Sequence, residues 1–231
     1  MGIKSNIENV RSRIEQAAIK SGRDASDVTL VGVSKRISND LITEGINSGL
    51  NNLGENYAQE FRDKYEILDQ DHSKINWHFI GHLQKNKIKY VIGKMGLFHS
   101  LDSTGLAEEI DKRAAQLDIN VDMLIEINCA GEGSKTGIPF EEALALLEHA
   151  GKLENITIRG FMTMAPYSKD PEDARPYFRK LREFRDSVLT DYPEANELSM
   201  GMSGDFEVAV EEGATIVRVG TSIFGERAER K

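Results

Sequence analysis

The chain has a single cysteine, Cys129, among its 231 residues. One thiol excludes a disulfide within the chain and is typical of a protein from a reducing compartment. No apolar run reaches the roughly 20 residues that span a bilayer, and the N-terminus lacks the apolar core of a signal peptide. We therefore expect a cytoplasmic protein that does not enter the membrane.

Basic residues are also scarce, with 29 Lys and Arg against 38 Asp and Glu and a net charge of −9. This balance excludes nucleic acid as a principal ligand. The strongest basic cluster, Lys85, Lys87 and Lys89, is interpreted as a solvated helix face; a transient docking site or a second aldehyde site is the alternative. Only five prolines are present and no Pro/Gly/Ser-rich linker divides the chain, so residues 1–231 are expected to form one domain.

Alternating strand-like and helix-like segments make up most of the sequence. Residues 1–24 are predicted to form an N-terminal helix with a capping box at Ser5-x-x-Glu8 and a stop at Gly22, and residues 25–231 to form a barrel. Short, nearly all-apolar segments are predicted to be buried parallel strands: Val28–Val33, Asn52–Gly54, Trp77–Ile80, Leu97–Ser100, Asp122–Asn128, Thr157–Phe161, Glu197–Met200 and Ile216–Val219. Eight such steps favour a single (β/α)8 TIM barrel over an open sheet, because closure leaves no exposed edge.

Several helices between these strands have clear start signals. Pro139 is predicted to open one, with Phe140, Leu144 and Leu147 on its inner face. Asp170 is predicted to cap another, because Pro171 suits the first helical position.

Lys35 ends the first apolar strand, where the active face of such a barrel lies. A lysine at a strand end can simply extend its ammonium group into solvent. In a barrel mouth, however, partial burial lowers the pKa of the amine and exposes the neutral form that attacks carbonyls.

The last strand ends in Gly220 and Thr221, which are candidates for a phosphate site because glycine permits close backbone approach. Ser203 could both cap the following helix and bond a phosphate oxygen, and the alternative is that it serves only as the N-cap of that helix. Arg218 alternates with valines and should face the barrel interior, where it needs a partner or a ligand. An imine-forming amine facing a phosphate site suggests pyridoxal phosphate.

Other reactive side chains have less support. His78 and His82 straddle a strand end with no nearby cysteine, so no metal site is predicted. Cys129 and His78 are interpreted as packing residues, whereas Tyr57 and His82 are candidates for the pocket wall or a proton donor.

The assembled motifs resemble the pyridoxal-phosphate homeostasis protein family. Each motif is weak alone, but together they run in the family's order over nearly the whole chain: Leu30–Lys35, Gly54–Tyr57, Trp77–Gln84, Gly160–Met164, Leu198–Ser203 and Val217–Gly225. The resemblance implies a barrel similar to the N-terminal domain of alanine racemase, with pyridoxal 5'-phosphate held as a Schiff base on Lys35. It also implies further cofactor contacts, with Ser203, Gly220 and Thr221 at the phosphate, Arg218 at the pyridine nitrogen, Asn56 near the ring, and Ser199 and Met200 as neighbours.

An arginine at the ring nitrogen would disfavour its protonation and make the ring a poorer electron sink. We also expect no counterpart of the second domain that supplies a base in alanine racemase, because few residues follow the last predicted strand. The expected function is therefore intracellular vitamin B6 homeostasis and cofactor supply by a monomer that meets apo-enzymes transiently, with little or no turnover. The alternatives are a minimal amino-acid racemase or lyase using Tyr57, His82 or Cys129, and an aldolase or isomerase without this cofactor.

Overall fold

The computed structural model describes residues 2–68, 75–131 and 136–225. Within these ranges eight parallel strands, each paired with the next, form the sheet: β1 (Thr29–Val33), β2 (Asn52–Glu55), β3 (Asn76–Phe79), β4 (Leu97–Leu101), β5 (Val121–Asn128), β6 (Ile156–Met162), β7 (Glu197–Ser199) and β8 (Ile216–Val219). The sheet closes because β8 pairs with β1, with Val31 opposite Arg218. This confirms the predicted (β/α)8 barrel, and each predicted strand is present to within two residues.

Helices surround the barrel: α1 (Ile3–Lys20), α2 (Asn39–Asn47), α3 (Ala58–Leu68), α4 (Thr104–Leu117), α5 (Ala143–Ala150), α6 (Arg175–Val188), α7 (Phe206–Glu211) and α8 (Thr221–Phe224). Between β3 and β4 the described chain forms a 3₁₀ segment, Lys85–Tyr90, instead of an α-helix. A two-residue strand, Ile138–Pro139, adds to the edge of β5 outside the barrel. In the described ranges no helix is both long and apolar enough to cross a bilayer.

The N-terminal helix begins earlier than the sequence predicted. Gly2 is the N-cap of α1 and no side chain caps it, so Ser5 and Glu8 lie within the helix and the predicted capping box is wrong. The predicted stop is confirmed, because Gly22 adopts a φ of +71° directly after the C-cap. The buried face of α1 packs against α2, α7 and α8, which ties the helix to both ends of the barrel sequence.

The segment after Pro139 also starts differently. A 3₁₀ turn, Phe140–Glu142, precedes α5, which begins only at Ala143. The tighter turn changes the phase of the helix, so Leu144 is exposed and the adjacent Leu146 and Leu147 are buried. The Asp170 cap is confirmed, since its carboxylate accepts a hydrogen bond from the backbone N–H of Glu172.

The core has two parts. A large apolar layer lies between the strands and the helices, and a small inner cluster of Val31, Leu124, Met162 and Ile216 fills part of the barrel. The remaining interior positions carry polar side chains, among them His78, His99, Ser199, Glu126 and Arg218, all of them buried. The barrel therefore contains polar groups that water does not reach, and these must find partners within the protein.

Candidate functional site

A cavity of about 630 Å³ opens at the carboxyl ends of the barrel strands. Six of the eight predicted cofactor-binding residues line it: Lys35, Asn56, Ser203, Arg218, Gly220 and Thr221. They come from the ends of β1 and β2 and of β7 and β8, two pairs that are distant in sequence and are brought together where β8 pairs with β1. Met164, Tyr167 and Met202 contribute to the apolar wall, and of these three only Tyr167 lies outside the sequence motifs.

Lys35 extends from the end of β1 into this cavity and is half-buried. Its Nζ atom donates a hydrogen bond to Oδ1 of Asn56, at a distance of 3.4 Å. Because one face of the amine points to the cavity and another to an amide oxygen, the side chain is oriented before any ligand arrives.

Both neighbours of this lysine are held by a buried charged cluster. Lys64 donates to the carbonyl of Ser34 at 2.6 Å, to Oε1 of Glu55 at 2.7 Å and to Oε1 of Glu60 at 2.8 Å. The Ser34 hydroxyl donates to the same oxygen of Glu55, and Glu60 accepts from the backbone N–H of Arg36 at 2.5 Å. Arg36 has a φ of +59°, an unfavourable conformation for a residue with a side chain. The cluster therefore fixes the direction in which β1 ends.

The position of Asn56 depends on a glycine in the neighbouring strand end. A Cβ atom at Gly81 would lie 2.2 Å from the carbonyl oxygen of Asn56 and 2.8 Å from its Cγ atom. Only a residue without a side chain permits this approach. The glycine is visible in the sequence, but its contact with Asn56 could not be predicted from the sequence.

The other end of the cavity is rich in backbone donors. The Ser203 hydroxyl accepts hydrogen bonds from the N–H groups of Gly220 and Ser222, each at 3.3 Å. Ser203 does not cap α7, because Asp205 holds the N-cap position and accepts from the N–H of Met202 instead. The predicted capping role of Ser203 is therefore wrong, and its hydroxyl lies beside the backbone N–H of Gly220 at the end of β8.

Close packing holds this end together. Gly201 has a φ of +92°, and a Cβ there would lie 2.6 Å from the Cβ of Ala209 in α7. The carbonyl of Gly201 accepts from the N–H of Arg218, which joins the end of β7 to β8. The backbone donors at Gly220 are consequently held against the rest of the sheet.

Arg218 faces the barrel interior, as predicted, and lies at the floor of the cavity with 4% of its surface exposed. Its guanidinium donates to the hydroxyl of Ser199 at 2.5 Å and to the carbonyl of Thr163 at 3.0 Å. Burial lowers the pKa of Arg218 to about 10, although the charges of Glu126 and Asp205 act in the opposite direction. The group is therefore a cation at neutral pH.

The side chains of Ser199 and Met200, the other two predicted neighbours, do not line the cavity. Ser199 is fully buried beneath Arg218, and Met200 packs in the apolar layer between sheet and helices. His99 was missed by sequence reasoning: its ring lies between Ser199 and His78, forming hydrogen bonds to both. The sequence did contain one indication of its role: His99 lies in a short apolar strand, where a buried histidine requires a hydrogen-bonding partner.

Two carboxyl groups lie close enough to act on Arg218. Glu126 is buried in the barrel and accepts a hydrogen bond from the hydroxyl of Thr136 at 2.5 Å, and Asp205 lines the cavity. Burial raises the pKa of both carboxyl groups above their usual range. Neither is hydrogen-bonded to the guanidinium in the described part of the chain.

The candidate proton donors lie to one side of the main cavity. Tyr57 and His82 line a smaller adjoining cavity of about 260 Å³ together with Asn56, and His82 is paired with Asp102 at 2.8 Å. Cys129 is 6% exposed, and burial raises the pKa of its thiol, so the group remains the neutral thiol and is a poor candidate for the base. Across residues 2–68, 75–131 and 136–225, no group of three or more His, Cys, Asp and Glu side chains is arranged to hold a metal ion.

The main cavity thus combines three chemical features. It presents a primary amine on one wall, a buried cation on its floor, and backbone N–H groups with hydroxyls at one end. An amine reacts with a carbonyl, a cation attracts an anion or a ring nitrogen lone pair, and a cradle of N–H groups suits phosphate oxygens. One ligand carrying an aldehyde, a basic ring nitrogen and a phosphate uses all three.

Known proteins that are similar to this chain are consistent with a site that contains an amine, a cation and backbone N–H groups. Residues 3–228 match the family described as alanine racemase, N-terminal domain. A pyridoxal phosphate homeostasis protein of Aquifex aeolicus is 50% identical over 98% of this chain and 99% of its own length. The corresponding protein of Vibrio cholerae is 38% identical, covering 97% of this chain and 96% of its own length.

Solved structures extend the comparison to the fold. The structure of PipY from Synechococcus elongatus PCC7942 with PLP bound superposes with a TM-score of 0.84 at 31% identity, covering 96% of this chain and 100% of that chain. Since such similarity extends over nearly the full length of each pair, the chain belongs to the pyridoxal phosphate homeostasis protein family and has the alanine racemase N-terminal domain fold.

Proposed function

We propose that this protein binds pyridoxal 5'-phosphate in the main cavity, covalently through Lys35, and acts in vitamin B6 homeostasis by holding and supplying the cofactor with little or no turnover. The observation that carries the proposal is the convergence of Lys35, Arg218 and the Gly220 amide on one cavity. The bound PLP in PipY and the names of the relatives support it.

The residues present fit this cofactor. Lys35 would bond through Nζ to the aldehyde carbon with loss of one water, and Asn56 would hold the amine in place. The hydroxyls of Ser203 and Thr221 and the Gly220 amide would hold the phosphate. When bound, the cofactor supplies an electron sink for carbanions, but a charged Arg218 at the ring nitrogen would keep that sink weak.

Attachment is tested by loading the protein, reducing it with borohydride and mapping the labelled peptide. We expect a yellow protein whose colour bleaches on reduction and whose label lies on Lys35. Lys35→Ala should abolish the chromophore. The matched control is Lys152→Ala, an exposed lysine in the loop between α5 and β6 at the opposite end of the barrel, which should keep it. An unchanged chromophore in Lys35→Ala would contradict the proposal.

The proposed lack of turnover needs a separate test. Racemase, decarboxylase and transaminase assays on a broad panel of amino acids should give rates no higher than those of free cofactor. Robust activity on any substrate would favour the alternative, a minimal racemase or lyase. Loss of that activity in Tyr57→Phe or His82→Gln, with the chromophore retained, would then identify the base.

The proposal includes two further points. We infer that the protein is a cytoplasmic monomer, which light scattering tests against the chain mass of 25.8 kDa. We also infer that it meets apo-enzymes only transiently. Mixing loaded protein with an apo-enzyme in the presence of a trap for free aldehyde should restore activity of that enzyme if transfer is direct, and should fail if release precedes capture.

A further inference from the structure

A continuous chain of hydrogen bonds crosses the barrel interior beneath the main cavity. The guanidinium of Arg218 donates to Oγ of Ser199 at 2.5 Å, and the same hydroxyl lies 2.8 Å from Nδ1 of His99. Nε2 of His99 lies 2.9 Å from Nδ1 of His78, and Nε2 of His78 lies 3.1 Å from Oδ1 of Asn52. We call Asn52, His78, His99 and Ser199 the polar relay.

The two ends of the polar relay determine where its protons lie. An amide oxygen only accepts, so Nε2 of His78 carries the proton that it donates to Asn52. A neutral His78 then accepts at Nδ1, which requires the proton of His99 to be on Nε2. His99 therefore accepts at Nδ1, and the Ser199 hydroxyl donates to it while accepting from Arg218. Every proton in this order has an acceptor.

The reverse order does not satisfy all groups. If His99 donated from Nδ1, the Ser199 oxygen would accept from both His99 and Arg218. Its own proton would then have no acceptor among the hydrogen bonds described for this fully buried hydroxyl. A buried donor without an acceptor is destabilising, so the first order is favoured.

Burial keeps both rings of the relay neutral. His99 is fully buried and His78 is 4% exposed, and burial lowers the pKa of His78 to about 4 and that of His99 well below its ordinary value. In this series of hydrogen bonds, each N–H or O–H group points away from Arg218. The lone pair of each acceptor therefore faces toward Arg218. Aligned hydrogen bonds of this kind polarise one another, and their negative ends stabilise the buried guanidinium without a carboxylate ion pair.

We propose that the polar relay is a positioning device for the cofactor ring, in which His99 and Ser199 fix the direction of the Arg218 guanidinium and thereby keep the ring nitrogen unprotonated. This inference rests on the proposed function, because it concerns the cofactor that the cavity is proposed to hold. His99 and Ser199 act through Arg218 and touch no ligand, which makes them positioning residues. Thr163 fixes the other side of the guanidinium through its carbonyl oxygen.

The proton order is tested first on protein without cofactor. Nitrogen-15 NMR of the histidine side chains should show His78 and His99 both neutral at pH 7, with the proton on Nε2 and bare Nδ1. A proton on Nδ1 of either ring, or a charged ring, would overturn the relay. This measurement does not depend on cofactor binding, so it stands even if the proposed function fails.

The effect on the ring nitrogen is tested with loaded protein. The wild type, prepared with cofactor labelled with nitrogen-15 in the ring, should give the shift of an unprotonated pyridine at pH 7. Ser199→Ala removes the acceptor of Arg218 and should move the shift toward the protonated form, whereas Ser199→Thr keeps a hydroxyl and should restore it. Ser21→Ala, which removes a partly buried hydroxyl bonded to the Ala17 carbonyl at the end of α1, is the matched control and should not move the shift.

The outcomes separate the two proposals. If loading on Lys35 occurs and the ring-nitrogen shift is the same in wild type and Ser199→Ala, the positioning role is wrong and the proposed function stands. If no cofactor attaches to Lys35, the proposed function is wrong, and the histidine measurement still decides whether the relay exists. If Ser199→Ala does not fold, His99→Gln provides the second variant, because it removes the acceptor at Nδ1 while retaining a neutral polar side chain.

Discussion

At the scale of single residues, Lys64 is the buried cation that holds the strand end carrying Lys35. Its side chain is 7% exposed and contacts the carboxylate of Glu55, which is fully buried. Burial raises the pKa of Glu55, and the charge of Lys64 opposes that shift. Removing one partner of such a pair leaves the other charge buried without compensation.

Lys64→Met should therefore lower the free energy of unfolding by about 3–5 kcal/mol, measured by chemical denaturation. The double variant Lys64→Met/Glu55→Gln should regain part of this loss, because the isolated carboxylate is gone. Lys20→Met breaks the exposed pair with Glu211 and should cost less than about 1 kcal/mol. Equal losses in Lys64→Met and Lys20→Met would contradict the buried-pair argument.

Individual residues also show where sequence reasoning stopped. The placement of Lys35, Gly220 and Arg218 around one cavity was predictable because each ends or alternates within an apolar strand. The anchoring cluster around Lys64 was not, since it joins the end of β1, the end of β2 and one face of α3. Contacts of this kind depend on side-chain packing in three dimensions, which no local pattern encodes.

At the scale of elements, the segment after β3 packs closely against the segment after β2. This packing sets the position of Asn56. Gly81→Ala would place a methyl group against the Asn56 backbone, and overpacking of this kind costs about 1–3 kcal/mol. We expect both lower stability and weaker cofactor loading, measured by denaturation and by titration of the chromophore.

A second glycine provides the control. Gly22→Ala, at the end of α1, has open space around it but a φ of +71°. It should lower stability by about 1–2 kcal/mol through backbone strain and leave loading unchanged. If the two variants weaken loading equally, the effect of Gly81→Ala is a general loss of stability and not displacement of Asn56.

Element boundaries show a clear division between what was and was not predictable. The eight barrel strands were located because a parallel strand covered on both faces is a short apolar run, whereas the two-residue strand Ile138–Pro139 was not predicted. Helix starts were less accurate: Asp170 caps as predicted, but Ser5 and Ser203 do not. The Ser203 hydroxyl accepts from the N–H groups of Gly220 and Ser222 at the end of β8, a contact between distant parts of the chain that no local pattern indicates.

At the scale of the whole molecule, the buried histidines couple folding to pH. The pKa of His78 is about 4 in the folded protein and about 6.5 when unfolded, so the unfolded chain binds more protons between these values. The contribution of neutral His78 to the free energy of unfolding is fully present above pH 6.5. This contribution is lost as the pH falls toward 4.

Between pH 7 and pH 5 this group should reduce the free energy of unfolding by about 2 kcal/mol. Chemical denaturation of wild type and His78→Gln across this range isolates the contribution, because glutamine does not titrate and other groups are common to both proteins. If the free energy of unfolding changed with pH equally in the two proteins, protonation of His78 would not destabilise the fold and the prediction would be wrong.

The charge distribution of the molecule has a consequence for how an anionic ligand arrives. The chain carries a net charge of −9, whereas Arg218 presents a cation at the cavity. In very dilute buffer, the net negative charge of the protein repels an approaching dianion at long range. The cation at the cavity attracts the dianion only at short range. Since the Debye length shortens to about 10 Å at 0.1 M salt, moderate ionic strength removes the distant barrier while the contact at the cavity persists. Association should thus be faster at moderate than at very low ionic strength.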